Sequence, residues 1–517
     1  MMEESMTVYN INLGIGWASS GVEYAQSYRA QAFRDLNISA KFVFSDLILG
    51  NNIADLTANL GFNDDQIIWL YNFFTDIKIA PSTFLLDTFV KQNHLEQRNF
   101  ILQPDNGTKE LQYKSEEEKL TIVPRYNNRE RGTIDQVTYI FNNRLIKRDF
   151  YSYTKYATEY YSGEEKDNQV VFREFYNEDG TIAYTQHLDG DGHELFEFSD
   201  QNYYSKTDLY REMLRKLNFK ADDIIILDRM DEDKQLVNGQ LIFEHHLPAK
   251  LVIPVHADHY DKHYTNDQQV LWNNFYEYQF MHYQDVAAYV VATDRQRDLL
   301  ASQQKHFNHA KPQIKTIPVG SLEHLVKPKE ARKKHSLITA SRLANEKHID
   351  WVIAATVAAH KIVPDLTLDI YGEGGERSRL QDLITKNNAD SYIKLMGQHD
   401  LKNVYQKYET YIAGSTSEGF GLSLMEAVGS GLSMIGFDVP YGNQTFIADQ
   451  QNGYLLPYTE DWSNSRKEQL LAEAIVKNFT EADLTSFHEK SYSLAESYLT
   501  KNVAKQWQQL IEELQHA

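Results

Sequence analysis

A chain of 517 residues has room for two or three domains and an ample core. With 42% apolar and 24% charged residues it reads as a globular protein, and no apolar run approaches the roughly 20 residues that span a bilayer. The net charge of −21 argues against a general nucleic-acid binder, and the lack of cysteine excludes disulfides and thiolate metal sites. The acidic start, Met1-Met-Glu-Glu-Ser5, leads directly into a strand and does not have the form of a signal peptide. A cytoplasmic location is the expectation.

Thr7–Leu13 reads as a strand, followed by a glycine-bearing loop, 14–21, that contains Gly16. Val22–Leu36 has helical periodicity, with Tyr24, Tyr28 and Phe33 expected on or near its core face, and Ala40–Phe44 is a second strand. Strand, glycine loop, helix and strand open a doubly wound domain, although the glycine spacing is not that of a dinucleotide fingerprint. From about Thr83 to Phe219 the chain changes to short alternating runs rich in Tyr, Asn, Asp and Glu, such as Gln136–Phe141 and Val170–Phe175. Asn177-Glu-Asp-Gly-Thr181 and Asp189-Gly-Asp-Gly192 are hairpin-turn signals, so Asp189 and Asp191 read as turn residues rather than as a metal pair. The expectation is an inserted antiparallel β-meander ending in a helix near Lys206–Lys216. Its aromatic strands suit a polypeptide or a partner protein, bound by strand addition or stacking.

The α/β pattern resumes at Asp223–Leu227. Lys250–His256 is a buried strand that leaves His256 at its carboxyl end, where ligands of parallel sheets sit. Val286–Val291 is a further strand, and Ile317–Gly320 reads as the last strand of this domain and the linker. Strands follow at Ser336–Ala340, Thr367–Tyr371, Tyr392–Met396, Glu409–Ala413 and Ser433–Phe437. The stretch Leu484–Gln515 reads as helical and is expected to cross back to the first domain. The domain reading is thus residues 1–82 and 220–320 for an N-terminal Rossmann-like domain, 83–219 for the meander, and 321–517 for a C-terminal Rossmann-like domain.

The most specific stretch is Gly414-Ser-Thr-Ser-Glu-Gly-Phe-Gly-Leu-Ser-Leu-Met-Glu426. Glu418 lies in its loop and Glu426 in the helix-like run that begins at Leu422. The backbone N–H groups of Gly419, Phe420 and Gly421 lie at a helix N-terminus, which favours negative charge. Glu418 could accept from sugar hydroxyls, and Glu426 could grip a ribose. A second block, Ser336-Leu-Ile-Thr-Ala-Ser-Arg-Leu-Ala-Asn-Glu-Lys-His-Ile-Asp350, places Arg342 and Lys347 at a helix start, where acidic residues would be preferred. Paired cations suit a departing diphosphate.

Together these blocks resemble the nucleotide-sugar site of retaining glycosyltransferases of the GT-B fold, two facing Rossmann-like domains, and more narrowly their family 4. The resemblance implies that Arg342 and Lys347 contact the donor diphosphate and that His256 contacts the donor sugar. Ser20-Gly21-Val22-Glu23 is similar to the family's Gly-Gly-x-Glu string, with Ser in place of the first Gly. Met396-Gly397-Gln398 lies where such enzymes hold the nucleobase. The expected catalytic residues are Arg342, Lys347, Glu418 and His256. Donor contacts are expected from Gly16, Gly21, Val22, Glu23, Gly397, Gln398, Gly419, Phe420, Gly421, Leu422 and Glu426. No metal and no cofactor beyond the UDP-sugar substrate are expected.

Tyr9–Ala25 and Trp69–Pro81 resemble one subfamily, the accessory-Sec glycosyltransferases of Gram-positive bacteria. This resemblance covers most of the chain. It implies transfer of a sugar, usually N-acetylglucosamine and in some relatives glucose, from a UDP donor to Ser or Thr hydroxyls of serine-rich repeat adhesins before export. It also implies a homologous non-catalytic stabilising subunit as partner, and a cytoplasmic enzyme with peripheral membrane association left open. Two other readings stand beside it. One is a wall teichoic acid α-glucosyltransferase, whose anionic acceptor should favour a basic cleft or insertion, whereas Lys and Arg do not dominate this chain. The other is the non-catalytic subunit, which should have lost the cations and glutamates present here.

Overall fold

The computed structural model describes residues 6–16, 21–105, 107–164, 168–228 and 238–516; Met1–Ser5 and the loop residues 17–20, both part of the sequence expectations, lie outside them. Packing divides the chain into two compact units, Met1–Val252 and Ile253–Ala517. In the first, β1 (Thr7–Asn12), β2 (Ser39–Phe44), β3 (Ile67–Trp69), β14 (Ile224–Leu227) and the start of β15 (Lys250–Val255) run parallel in the order β15-β14-β1-β2-β3. All four residues of β14 are buried, the continuous apolar run of a parallel strand covered on both faces.

The helix Gly21–Asp35 turns Val22, Ala25, Ala30 and Phe33 inward. Tyr24, expected on or near that face, is 48% exposed, because two residues beyond Val22 is about 200° around the helix. Polar Gln26 and Arg29 take the buried positions instead. Arg29 pairs with Asp228 (Nη1–Oδ1 3.1 Å) and donates from Nε to Asn10 at 2.9 Å; Gln26 donates to Asp228 at 3.0 Å. The burial is tolerable because the charges meet each other and the amides complete their hydrogen bonding.

Ten strands from β4 (Ile101–Leu102) to β13 (Asn202–Tyr203) form one antiparallel sheet in strict chain order, which is a meander. The alternating runs read from sequence lie in β7 (Thr133–Phe141) and β10 (Val170–Tyr176). Asp189 spends its carboxylate inside its own turn: it accepts from the N–H of Asp191 at 3.0 Å and of His193 at 2.8 Å, and meets the His193 ring at 2.8 Å. Helix Lys206–Leu217 follows, capped by the Ser205 hydroxyl, which accepts from the Asp208 N–H. The sheet is built into its unit rather than appended to it. Tyr71 is buried against Phe175, with ring centroids 5.6 Å apart, and its carbonyl accepts from the Tyr184 hydroxyl at 2.6 Å; Phe74 meets Phe198 at 5.5 Å.

In the second unit, β20 (Ser336–Ala340), β21 (Thr367–Tyr371), β22 (Ile393–Gly397), β23 (Thr410–Ile412), β24 (Ser433–Phe437) and β25 (Gly453–Leu456) form a parallel sheet in the order β22-β21-β20-β23-β24-β25. The order reverses between β20 and β23, the topological switch point beyond which ligands of such sheets bind. After the short antiparallel pair β16 (Tyr260–Asp261) and β17 (Leu271–Trp272), the strands β18 (Ala288–Val291) and β19 (Ile314–Thr316) pair in parallel. The strand expected at Ile317–Gly320 therefore ends earlier, since Pro318 has no N–H to offer a ladder. The C-terminal stretch forms two helices, Leu484–Ala495 and Thr500–Gln515. The second reaches back to β19, where Glu513 pairs with Lys315 at 2.6 Å and accepts from Gln313 at 3.0 Å. Among the described residues, no helix is long and apolar enough to cross a membrane.

Candidate active site

The switch point is where the two sequence blocks meet. Arg342 and Lys347 follow β20; Glu418 follows β23. The Lys347 ammonium lies 2.7 Å from the Glu418 carboxylate, and both side chains are largely shielded, 15% and 21% exposed. Separate in sequence and in expected role, the two residues form an ion pair in the fold. Arg342 is different. Its side chain is 80% exposed and meets Glu346 at 3.3 Å. A contact that open is worth little in water, so the guanidinium is available to an anion.

Glycines bring the loops this close. A Cβ on Gly374 would lie 2.4 Å from the Leu343 carbonyl oxygen, and one on Gly414 would lie 2.6 Å from that of His348. The Glu418 backbone is clamped to the loop after β24: its N–H donates to Pro440 at 3.1 Å, and its carbonyl accepts from Tyr441 at 2.7 Å and Gly442 at 2.8 Å. Gly421, at φ +83°, turns the chain into helix Leu422–Gly429, and the N–H groups just before that helix have an anion-favouring position. Phe420 is buried against Phe446, with centroids 5.2 Å apart, so only its backbone is open to a ligand. Leu422 is half-buried at the first turn.

Glu426 is half-buried on the same helix. Burial pushes its carboxyl up to about 6, with Asp400 adding repulsion and the Tyr405 hydroxyl opposing both. Gly397, at φ +79°, ends β22 and its carbonyl accepts from Gly372 N–H at 2.9 Å, while Gln398 is exposed beside it. His256 leaves β15 with its N–H held by the Tyr276 hydroxyl at 2.9 Å, and its carbonyl oxygen lies 3.2 Å from where a Cβ on Gly419 would stand. The second unit thus brings together His256, Lys347, Glu418 and Gly419, with Glu426 one helix further on. Its neighbour His259 is fully buried, bonded to Gln303 at 2.6 Å.

In the first unit, Gly16 and Gly21 are exposed, and a Cβ at either would meet nothing within 4 Å among the described residues. Val22 is buried and Glu23 half-buried at the helix start. Asp258, Ser417 and Tyr441 have no role assigned from sequence, although Ser417 lies in the Gly414–Glu426 stretch; their side chains meet only in the fold.

Two family profiles match the chain: "GtfA extended beta-sheet domain" over residues 103–200, and "Glycosyl transferases group 1" over residues 322–477. The chain is 96% identical over 512 residues to the UDP-N-acetylglucosamine–peptide N-acetylglucosaminyltransferase GtfA subunit of Limosilactobacillus reuteri subsp. suis, covering 99% of this chain and 100% of that protein. It is similar to the pneumococcal O-GlcNAc transferase GtfA solved in complex with UDP and GlcNAc, at 44% identity and a TM-score of 0.90, covering 100% of both chains. It is also similar to a chain of a GtfA/B complex, at 46% identity and a TM-score of 0.93, covering 99% of this chain and 100% of that one. The extended sheet, the switch-point site and likeness over the whole length agree on fold and kinship alike, and the chain belongs to the GtfA family of GT-B glycosyltransferases.

Proposed function

We propose that this chain is the catalytic subunit that transfers N-acetylglucosamine from UDP-N-acetylglucosamine to Ser and Thr hydroxyls of a serine-rich repeat adhesin, with retention at the anomeric carbon. The observation that carries the reading is the shielded Lys347–Glu418 pair at the switch point. A non-catalytic homologue would have no reason to keep it, and a donor sugar bound there would meet both an acceptor and a charge. Arg342, Lys347 and the N–H groups of Gly419, Phe420 and Gly421 take the diphosphate. Glu418 and His256 hold the sugar. Glu426 holds the ribose, Gly397 and Gln398 the base, and Gly16, Gly21, Val22 and Glu23 approach the phosphates.

The sugar C1–O bond to UDP breaks as the acceptor hydroxyl oxygen bonds to C1 from the same face. The hydroxyl proton passes to the departing phosphate oxygen, so no protein nucleophile is required. Cations and backbone dipoles offset the leaving charge, and the reading is metal-independent: turnover persists in excess EDTA. Loss restored by manganese or magnesium contradicts that part.

The proposed division is 1–82 and 220–320, with 83–219 inserted and 321–517 binding the donor. The enzyme works in the cytoplasm, or peripherally at the membrane, with a homologous non-catalytic subunit. The insertion carries the partner contact: β4 ends its sheet with Ile101 69% and Leu102 48% exposed. Replacing both by Asp should weaken co-purification with the partner while UDP release from the donor continues. The test of the whole reading offers UDP-N-acetylglucosamine and UDP-glucose to the protein with a serine-rich acceptor, alone and with its partner. Transfer from the first donor supports it; no transfer under any condition removes it.

A further inference from the structure

The loop leaving β15 is a rigid post. The Ala257 carbonyl accepts from the Gln296 amide at 2.9 Å, the Asp258 carbonyl from Asn273 at 3.1 Å, and the His259 carbonyl from the Asn273 N–H at 3.0 Å. The His259 ring, buried and bonded to Gln303, lies 6.4 Å from the Tyr441 ring at an interplanar angle of 20°. From this post the Asp258 carboxylate accepts from the Ser417 hydroxyl at 3.0 Å, and the Tyr441 hydroxyl faces the same carboxylate. Ser417 precedes Glu418 in sequence, and Tyr441 is the residue whose N–H holds the Glu418 carbonyl at 2.7 Å. One half-buried carboxylate therefore grips both flanks of the Glu418 loop.

We propose that Asp258 is a positioning residue, which acts through Ser417 and Tyr441 to aim Glu418 at the donor sugar and to fix it relative to His256. The inference rests on the proposed donor reading. Lys347 does not by itself fix the Glu418 side chain, because a lysine ammonium is a point charge on a flexible stem, and the backbone bonds from Glu418 to residues 440–442 hold it only as firmly as that loop is held. Fixing the residue before Glu418 and the backbone partner beside it removes that freedom before substrate arrives. Preorganisation of this kind is worth much, since a misplacement near 1 Å can cost about a hundredfold in rate.

The test uses the full chain with its partner subunit and follows UDP-N-acetylglucosamine turnover, with UDP binding measured in parallel. Asp258→Ala should lower kcat/KM for the donor about tenfold to a hundredfold. Affinity for UDP, which carries no sugar, should stay within about twofold, the split that separates sugar positioning from general loosening of the site. Ser417→Ala should give a smaller fall, at least about threefold, and the double variant should be no worse than Asp258→Ala, because coupled residues are not additive. Asp258→Asn, which keeps an oxygen for the Ser417 hydroxyl, should recover most of the activity. Wild-type kinetics in Asp258→Ala, additive losses in the double variant, or equal losses of UDP and donor binding each overturn the proposal. If Asp258→Ala does not fold, wild-type kinetics in Ser417→Ala overturns it alone. Failure of the wild-type protein to use the donor at all would instead sink the parent reading.

Discussion

At the scale of single residues, the site divides its cations by exposure. Lys347→Ala leaves Glu418 as a largely shielded carboxylate without its partner, so both stability and turnover should fall, turnover by at least about a hundredfold. Arg342→Ala should reduce turnover on that scale while the thermal midpoint barely moves, because the side chain is exposed and weakly tethered. Comparing kinetics and melting of the two variants checks both; a wild-type rate in either removes that residue from the diphosphate site. Glu426 adds a pH dependence. With its carboxyl raised to about 6, it is increasingly protonated as pH falls through that value and cannot accept two hydroxyl hydrogen bonds as a carboxylate does. KM for the UDP-sugar should rise below about pH 6, and Glu426→Gln should flatten the rise. The ion pair itself was not legible in sequence, because Lys347 and Glu418 lie 71 positions apart and join only when β20 and β23 become neighbours.

Elements were more legible than contacts. The apolar run of β14 and the mostly apolar β20 are readable because both faces are buried, and the turn at Asp189–Gly192 because Asp and Gly satisfy it locally. The polar buried face of helix Gly21–Asp35 was not: Gln26 and Arg29 look like surface residues until Asp228, about 200 positions later, supplies the partner. The loops around Glu418 fit through glycines, and this gives a prediction at their own scale. A Cβ on Gly442 would stand 2.2 Å from the Phe420 carbonyl oxygen, a collision with backbone that no rotamer relieves. Gly442→Ala should therefore cost roughly 1–3 kcal/mol of stability and also lower turnover, since the loop bearing Glu418 must shift. Unchanged melting and kinetics would show that these loops are looser than their packing implies.

For the whole molecule, buried His259 and half-buried His488 set an acid limit on stability. Burial depresses both His259 and His488 to about 4, with Arg332 adding to the effect at His488. Between about 6.5 and 4 the unfolded chain takes up protons that the folded chain refuses, so the stability they contribute is full above about pH 6.5 and lost as pH falls toward 4. The loss should be of order 3 kcal/mol per histidine at most, and His259→Gln should make denaturant midpoints less steep over that window. The meander also behaves as part of the whole. Its presence was readable from alternating runs and turn signals, but its rings cover Tyr71 and Phe74 in the same unit, which sequence could not reveal. Excising residues 83–219 should yield an aggregating protein rather than a trimmed enzyme. The central claim is that the Lys347–Glu418 site transfers N-acetylglucosamine to protein hydroxyls with retention. The direct measurement incubates wild-type and Lys347→Ala proteins, each with the partner subunit, with UDP-N-acetylglucosamine and a serine-rich acceptor, and reads modified serines by mass spectrometry and linkage by NMR. The account predicts α-linked N-acetylglucosamine on serine and threonine from the wild type and almost none from the variant. A β-linkage, or equal transfer by both proteins, would contradict it.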